Sequence, residues 1–204
     1  MALTVCREGV SIAGVIAKIQ VSRRRFTVEE YQRMAQVGIL TEADRVELID
    51  GEIVHATAIG RRHAVCVARL TRRLTDAVAE RALVWPQNPI RLPRDSEPQP
   101  DLTILRLPAD RYIRQSPSAA DVLWLAEVAD LSYRYDRCVK LPLYARAAIP
   151  EVWLVDLTHE VVEIHRAPTP RGYGSTLTVD RAGTLTPQPF DDIAIPVIDI
   201  LPLA

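Results

Sequence analysis

Lysine is nearly missing from this chain. Of its 25 basic residues, 23 are arginine and two are lysine, Lys18 and Lys140. The bias carries no functional meaning in itself, but it makes a surviving lysine worth following. Cysteine is scarce as well: Cys6, Cys66 and Cys138 are odd in number, widely spaced and free of any CxxC. That excludes a disulfide framework and a Cys-rich zinc site, and it fits a reducing, cytoplasmic compartment. Apolar runs are short, and none approaches the roughly eighteen residues of a membrane span, so no membrane partner is expected. The apolar stretch Gly9–Ile19 follows Arg7 but lacks the basic leader and small-residue cleavage site of a signal peptide. Walker-type glycine loops, GxSxG and HExxH are absent, which disfavours ATP hydrolysis, serine hydrolysis and zinc proteolysis. Charge of one sign is not in excess. The net charge is −1, with 15 basic and 12 acidic residues in 1–100 and 10 and 14 in 101–204. Neither half carries the basic surplus that announces a nucleic-acid binder.

What is present is an ordinary globular composition over 204 residues, 48% hydrophobic and 25% charged. Residues 1–24 read as an extension, and 25–204 as a single α/β domain around a mixed sheet. Thr27 and Glu30 form a capping box, opening a helix that Gly38 ends. Asp50-Gly51 sits between alternating runs and predicts a hairpin. A long helix follows from Arg61 to about Ala82, with Val67, Leu70, Leu74 and Val78 as its apolar stripe. Its arginines, 62, 69, 72 and 73, read either as a solvated face or as a phosphate-contacting one. Short strands are expected at Leu83–Trp85, Ile90–Leu92 and Leu102–Leu105, then a polar loop over 106–120. The run Val122–Val128 predicts a buried central strand. Residues 135–148 read as a helix perturbed by Pro142, Val152–Val155 as a strand, and 161–179 as a terminal hairpin before an irregular tail.

Three residues stand out chemically. Asp101 follows Pro100 and precedes an apolar strand. Glu127 is an acid inside the most hydrophobic strand of the chain. Lys140 follows that strand on a helix, four residues after Asp136, so the two share a face. A buried carboxylate is costly unless paired or metal-bound. Glu127 therefore either points outward at the strand end or meets a partner. Side by side on neighbouring strands, Asp101 and Glu127 would repel each other without a cation. Oxygen ligands of this kind suit Mg²⁺ or Mn²⁺.

Pro100-Asp101, Glu127 in a hydrophobic strand and then a lysine resemble the PD-(D/E)XK nuclease signature. More specifically, the chain resembles the Uma family of bacterial restriction-endonuclease-like proteins. The matching segments are FTVEEYQRM (26–34), VELIDGEIV (46–54), His63, PDLTIL (100–105), EVADLSYRYDRCVKLPLYA (127–145) and IPEVWLVDL (149–157). The resemblance implies a restriction-endonuclease-like fold, a central mixed sheet flanked by helices, with a metal site at Asp101 and Glu127. One departure matters: the position two after Glu127 is Ala129, and the lysine looks relocated to Lys140. Glu47 matches the family's early acid, which either supports the metal site or is an exposed hairpin charge. His63 takes the family's histidine position, as a site residue or a satisfied surface group. Asp130 and Ser132 would line the rim, whereas Tyr144 and Trp153 read as packing.

Two functions compete. One is a metal-dependent endonuclease with Asp101, Glu127 and Lys140 as catalytic residues, nucleic acid (DNA first) as substrate, and a homodimer as the arrangement for cutting both strands. The other is a non-enzymatic nucleic-acid-binding or protein-interaction module on the same fold, which the near-neutral charge favours. A hydrolase of small phosphorylated substrates has no support beyond the carboxylates.

Overall fold

The structure, a computed structural model, describes residues 23–56 and 59–202. The expected extension, 1–24, lies outside the described residues except for its last two, and so does the apolar stretch 9–19.

Thr27 caps a helix as its side chain dictates. Its hydroxyl accepts from the Glu30 amide, and the Glu30 carboxylate accepts from the Thr27 amide, so α1 runs Val28–Gln36. Gly38 follows in the left-handed region, at φ 77°. The Asp50-Gly51 turn joins β1 (Val46–Ile49) to β2 (Glu52–His55), with both turn residues at positive φ as a type I′ hairpin requires. In α2 (Arg61–Val78) the whole predicted stripe is buried. Two of its arginines serve neither of the expected roles: Arg62 donates to the Leu157 carbonyl and Arg69 to the Leu201 carbonyl, each at 2.6 Å. Arg73 lies on the exposed face and pairs there with Asp199 at 3.0 Å. They tie the helix to downstream segments.

Six strands form one mixed sheet. In order across it they are β3 (Leu83–Pro86), β4 (Leu102–Leu105), β5 (Val122–Ala129), β6 (Glu151–Asp156), β7 (Val161–Thr169) and β8 (Gly172–Val179). Within this sheet β5 and β6 are the parallel pair, and every other neighbouring pair is antiparallel. A parallel pair needs a crossover. Here the crossover carries α3 (Tyr133–Tyr135), a π turn (Asp136–Lys140) and α4 (Leu141–Arg146). The uninterrupted helix expected over 135–148 is thus broken by the π turn. Pro142 supplies the reason: it has no N–H to donate, and just ahead of it the ladder widens so that the Leu141 amide reaches the Asp136 carbonyl.

Two further expectations are corrected. Ile90–Leu92 forms isolated bridges rather than a strand, because Pro89 and Pro93 flank it and Pro93 cannot donate to a ladder. The 106–120 loop contains two 3₁₀ turns, and Tyr112 is buried in the first. The tail pairs β9 (Thr184–Leu185) with β10 (Ile195–Pro196) and ends in α5 (Val197–Ile200).

Strand alternation divides the core between the two sheet faces. Trp124, Ala126 and Val128 pack with α2 and the tail, whereas Leu125 and Ala129 pack with Leu141, Leu143 and Tyr144 of the crossover. The same alternation sends Glu127 to the crossover face. No helix among the described residues is long and apolar enough to cross a membrane.

Candidate functional site

The β4–β5 ladder sets the two central acids opposite each other. Leu102 pairs with Ala126, so Asp101, one residue earlier, lies across from Glu127. Asp101 is fixed on both sides: Oδ2 accepts from the Val128 amide at 2.8 Å, and Oδ1 lies 2.9 Å from Nε2 of His63, in the first turn of α2. Glu127 is 3% exposed, which settles its direction inward. Its Oε1 accepts from the Tyr144 hydroxyl at 2.5 Å and lies 3.1 Å from Lys140 Nζ. The same ammonium donates to Glu47 Oε1 at 3.1 Å, and that oxygen also accepts the Gln99 amide at 2.9 Å. Glu47 is therefore buried, not an exposed hairpin charge. Asp136 accepts from Ser132 Oγ at 2.5 Å.

All six residues singled out by sequence (Glu47, His63, Asp101, Glu127, Asp136 and Lys140) line one cavity of about 200 Å³. They arrive from β1, α2, the start of β4, β5 and the crossover. The crossover helix returns over the sheet and brings Lys140 to Glu127, even though the lysine lies outside the strand. Ser132 is in the lining as expected, but Asp130 is not, and it pairs with Arg62 at 3.7 Å. Trp153 is a core residue, as read. Tyr144 is more than packing, since its hydroxyl bonds Glu127. Its spacing of four from Lys140 is the signal that could have found it. Arg45, Gln87, Gln99 and Tyr135 also line the cavity, and no spacing rule pointed to them.

The electrostatics follow from crowding. Four carboxylates share this cavity with one ammonium, and Arg45 is the lining's other permanent cation. Burial raises the Glu127 carboxyl well above its usual range; Lys140 opposes this, while Asp136, Asp101 and Glu47 add to it. Asp136 is pushed up to about 6, mainly by burial, with Lys140 again opposing. Burial works against the charge on Lys140, but Glu127, Glu47 and Asp136 outweigh it and hold its pKa above normal. For His63 burial also opposes protonation, and the hydrogen bond to Asp101 and its charge prevail, raising the pKa.

Among the described residues no group of three or more His, Cys, Asp or Glu side chains is placed to ligate one ion. The donor set instead fits a hard cation that takes one or two carboxylates and completes its shell with water and phosphate. Glu127 Oε2 has no protein donor among the described residues, and the negative surplus calls for a cation.

Comparison with known proteins agrees with this architecture. Residues 28–197 match the Uma2 family model, described as “Putative restriction endonuclease”. Among solved structures the chain is similar to a protein from Anabaena variabilis described as “a putative nuclease belonging to DUF820”. The TM-score is 0.68 at 14% identity, covering 86% of this chain and 97% of that one. No curated protein matches. At that identity the structural likeness shows a shared fold, the restriction-endonuclease-like mixed sheet. The family match spans most of the chain, and the protein belongs to the Uma2 family of restriction-endonuclease-like proteins.

Proposed function

We propose that this protein is a divalent-metal-dependent nuclease that hydrolyses phosphodiester bonds in DNA, on one domain spanning residues 25–204. One observation carries the reading: Asp101 and Glu127 lie opposite each other on adjacent strands, with Lys140 Nζ 3.1 Å from Glu127. Asp101 and Glu127 would hold Mg²⁺ or Mn²⁺. When bound, such an ion neutralises the carboxylate surplus that would otherwise repel a phosphate and makes water a stronger nucleophile.

In hydrolysis the water oxygen bonds to phosphorus, one P–O ester bond breaks, and the leaving oxygen gains a proton. Lys140 stays an ammonium, since its surroundings raise its pKa. Its role is thus to donate hydrogen bonds to charge developing on the phosphoryl oxygens, not to remove a proton. Glu47 holds that ammonium in place. Tyr144 fixes Oε1 of Glu127, a residue of the cavity lining, and leaves Oε2 without a protein donor among the described residues.

The test needs no knowledge of the substrate sequence. Thermal unfolding of the wild type and of Asp101→Ala is followed with and without Mn²⁺ or Mg²⁺, then cleavage of DNA is assayed. An ion at 100 times its dissociation constant adds about 2.7 kcal/mol to stability. The shift is expected in the wild type and lost in Asp101→Ala. No shift at millimolar metal together with no cleavage refutes the nuclease. A binding module on the same fold would then stand, a reading that the net charge of −1 favours.

A further inference from the structure

The catalytic cavity, about 200 Å³, is small for a nucleotide, but it does not stand alone. A cavity of about 830 Å³ adjoins it, between the end of α1 and the loop after β3, and the two share Arg45, Ala56, Gln87 and Gln99. On another side a depression of about 480 Å³ lies against α2 and shares Ile59 and Gln87. Neither neighbour is lined by a carboxylate. Arg45 is the one charged residue lining the larger cavity, and Arg72 the one lining the depression. Neither arginine has a carboxylate partner among the described residues. An acidic centre therefore has a cation on each of two sides.

Gln87 lines all three spaces. It is held in the left-handed region at φ 47°, and its amide donates to the Asp101 carbonyl at 3.1 Å. Arg45 is also left-handed, at φ 46°, and its carbonyl accepts the Ala56 amide at 2.8 Å. Non-glycine residues in that region cost energy and persist where the surrounding structure fixes them. The larger cavity also carries side-chain amides from Gln87 and Gln99, beside Asn88, whose amide donates to the Pro86 carbonyl at 2.7 Å. Side-chain amides pair with the edges of bases. A base is free to enter such a space when it is unpaired.

We propose that the substrate is an unpaired DNA strand. Its scissile phosphate lies at Asp101 and Glu127, one neighbouring nucleotide sits in the amide-lined cavity beside Arg45, and the strand continues toward Arg72. Gln87 positions the strand at the junction and contacts a base. This rests on the nuclease reading above and deepens it.

The test compares binding of a labelled single-stranded oligonucleotide, the same sequence as a duplex, and its RNA counterpart. All are measured with Ca²⁺ present and repeated with Mn²⁺ for cleavage. The variants are Gln87→Gly and Arg45→Gly, because glycine accepts the left-handed backbone and removes only the side chain. The wild type is expected to bind the single strand at least ~10-fold more tightly than the duplex, a preference of about 1.4 kcal/mol. Each variant should lose about that factor on single strands while keeping the wild-type Mn²⁺ shift in unfolding temperature. Equal or tighter duplex binding, or variants that bind as the wild type does, overturns the proposal. Tighter binding of the RNA overturns the choice of DNA. A missing Mn²⁺ shift in the wild type would instead overturn the nuclease reading itself.

Discussion

Asp136→Asn should stabilise the protein, and only above a definable pH. The carboxyl is 4% exposed and titrates near 6 rather than 3.8, chiefly because it is buried. The unfolded chain gives up this proton near 3.8, and the folded chain keeps it to about 6. Between those values the folded state binds more protons, so stability falls as pH rises. The contribution is fully present below the unfolded pKa and lost once pH has passed about 6. Raising a carboxyl pKa from 3.8 to about 6 corresponds to about 3 kcal/mol of penalty for the ionised form. Asparagine keeps an acceptor for Ser132 Oγ but cannot ionise. Wild type and variant should therefore unfold alike near pH 4. By pH 7.5 the variant should lead by up to about 3 kcal/mol, or roughly 6–12 °C in Tm for a chain of this size. The assay is urea and thermal unfolding of metal-stripped protein from pH 4 to 8. Curves for the two proteins that stay parallel across that range would refute the reasoning.

Lys140→Met leaves Glu47 and Glu127 without their ammonium. Urea unfolding at pH 7 should show a loss of about 3–5 kcal/mol. Tyr135→Phe removes a buried hydroxyl that has no partner among the described residues, so chemical denaturation should show a gain of about 1 kcal/mol. Gly51→Ala places a Cβ 2.7 Å from Arg25 Cβ at φ 77°, and a loss of about 2 kcal/mol is expected in the same assay.

Most local structure was legible because it is written in short-range chemistry. Thr27 with Glu30, Asp50 with Gly51, and the stripe Val67–Leu70–Leu74–Val78 each specify their element without help from the rest of the chain. Asp101 and Glu127 were legible as a pair through the family resemblance, not by counting, since a bulge at Ile104–Leu105 shifts the register between their strands. Two kinds of feature stayed hidden. The arginines of α2 look solvated by spacing, yet their long side chains reach carbonyls about 95 and 132 residues away. Gln87 and Arg45 carry no pattern at all, since a left-handed backbone at a non-glycine residue is imposed by tertiary contacts. Tyr144 falls between these cases: its helical phase was readable, but a tyrosine beside Leu141 and Leu143 looks apolar until its hydroxyl finds Glu127.

The π turn has a consequence for how this site tolerates change. A lysine on a strand is positioned by parity: one inserted residue turns it to the opposite face. A lysine on a crossover helix is positioned by rotation, and a π turn is a helix that holds one residue more than its hydrogen-bond ladder needs. Deleting one of Arg137, Cys138 or Val139 would let the helix heal to a regular ladder, leaving Asp136 and Lys140 three apart and still on one face, but with a changed rise and phase between them. The extra residue therefore works as a phasing shim. It sets the rotation at which Lys140 meets Glu127, and a search for acid-x-lysine along β5 alone would overlook that contact.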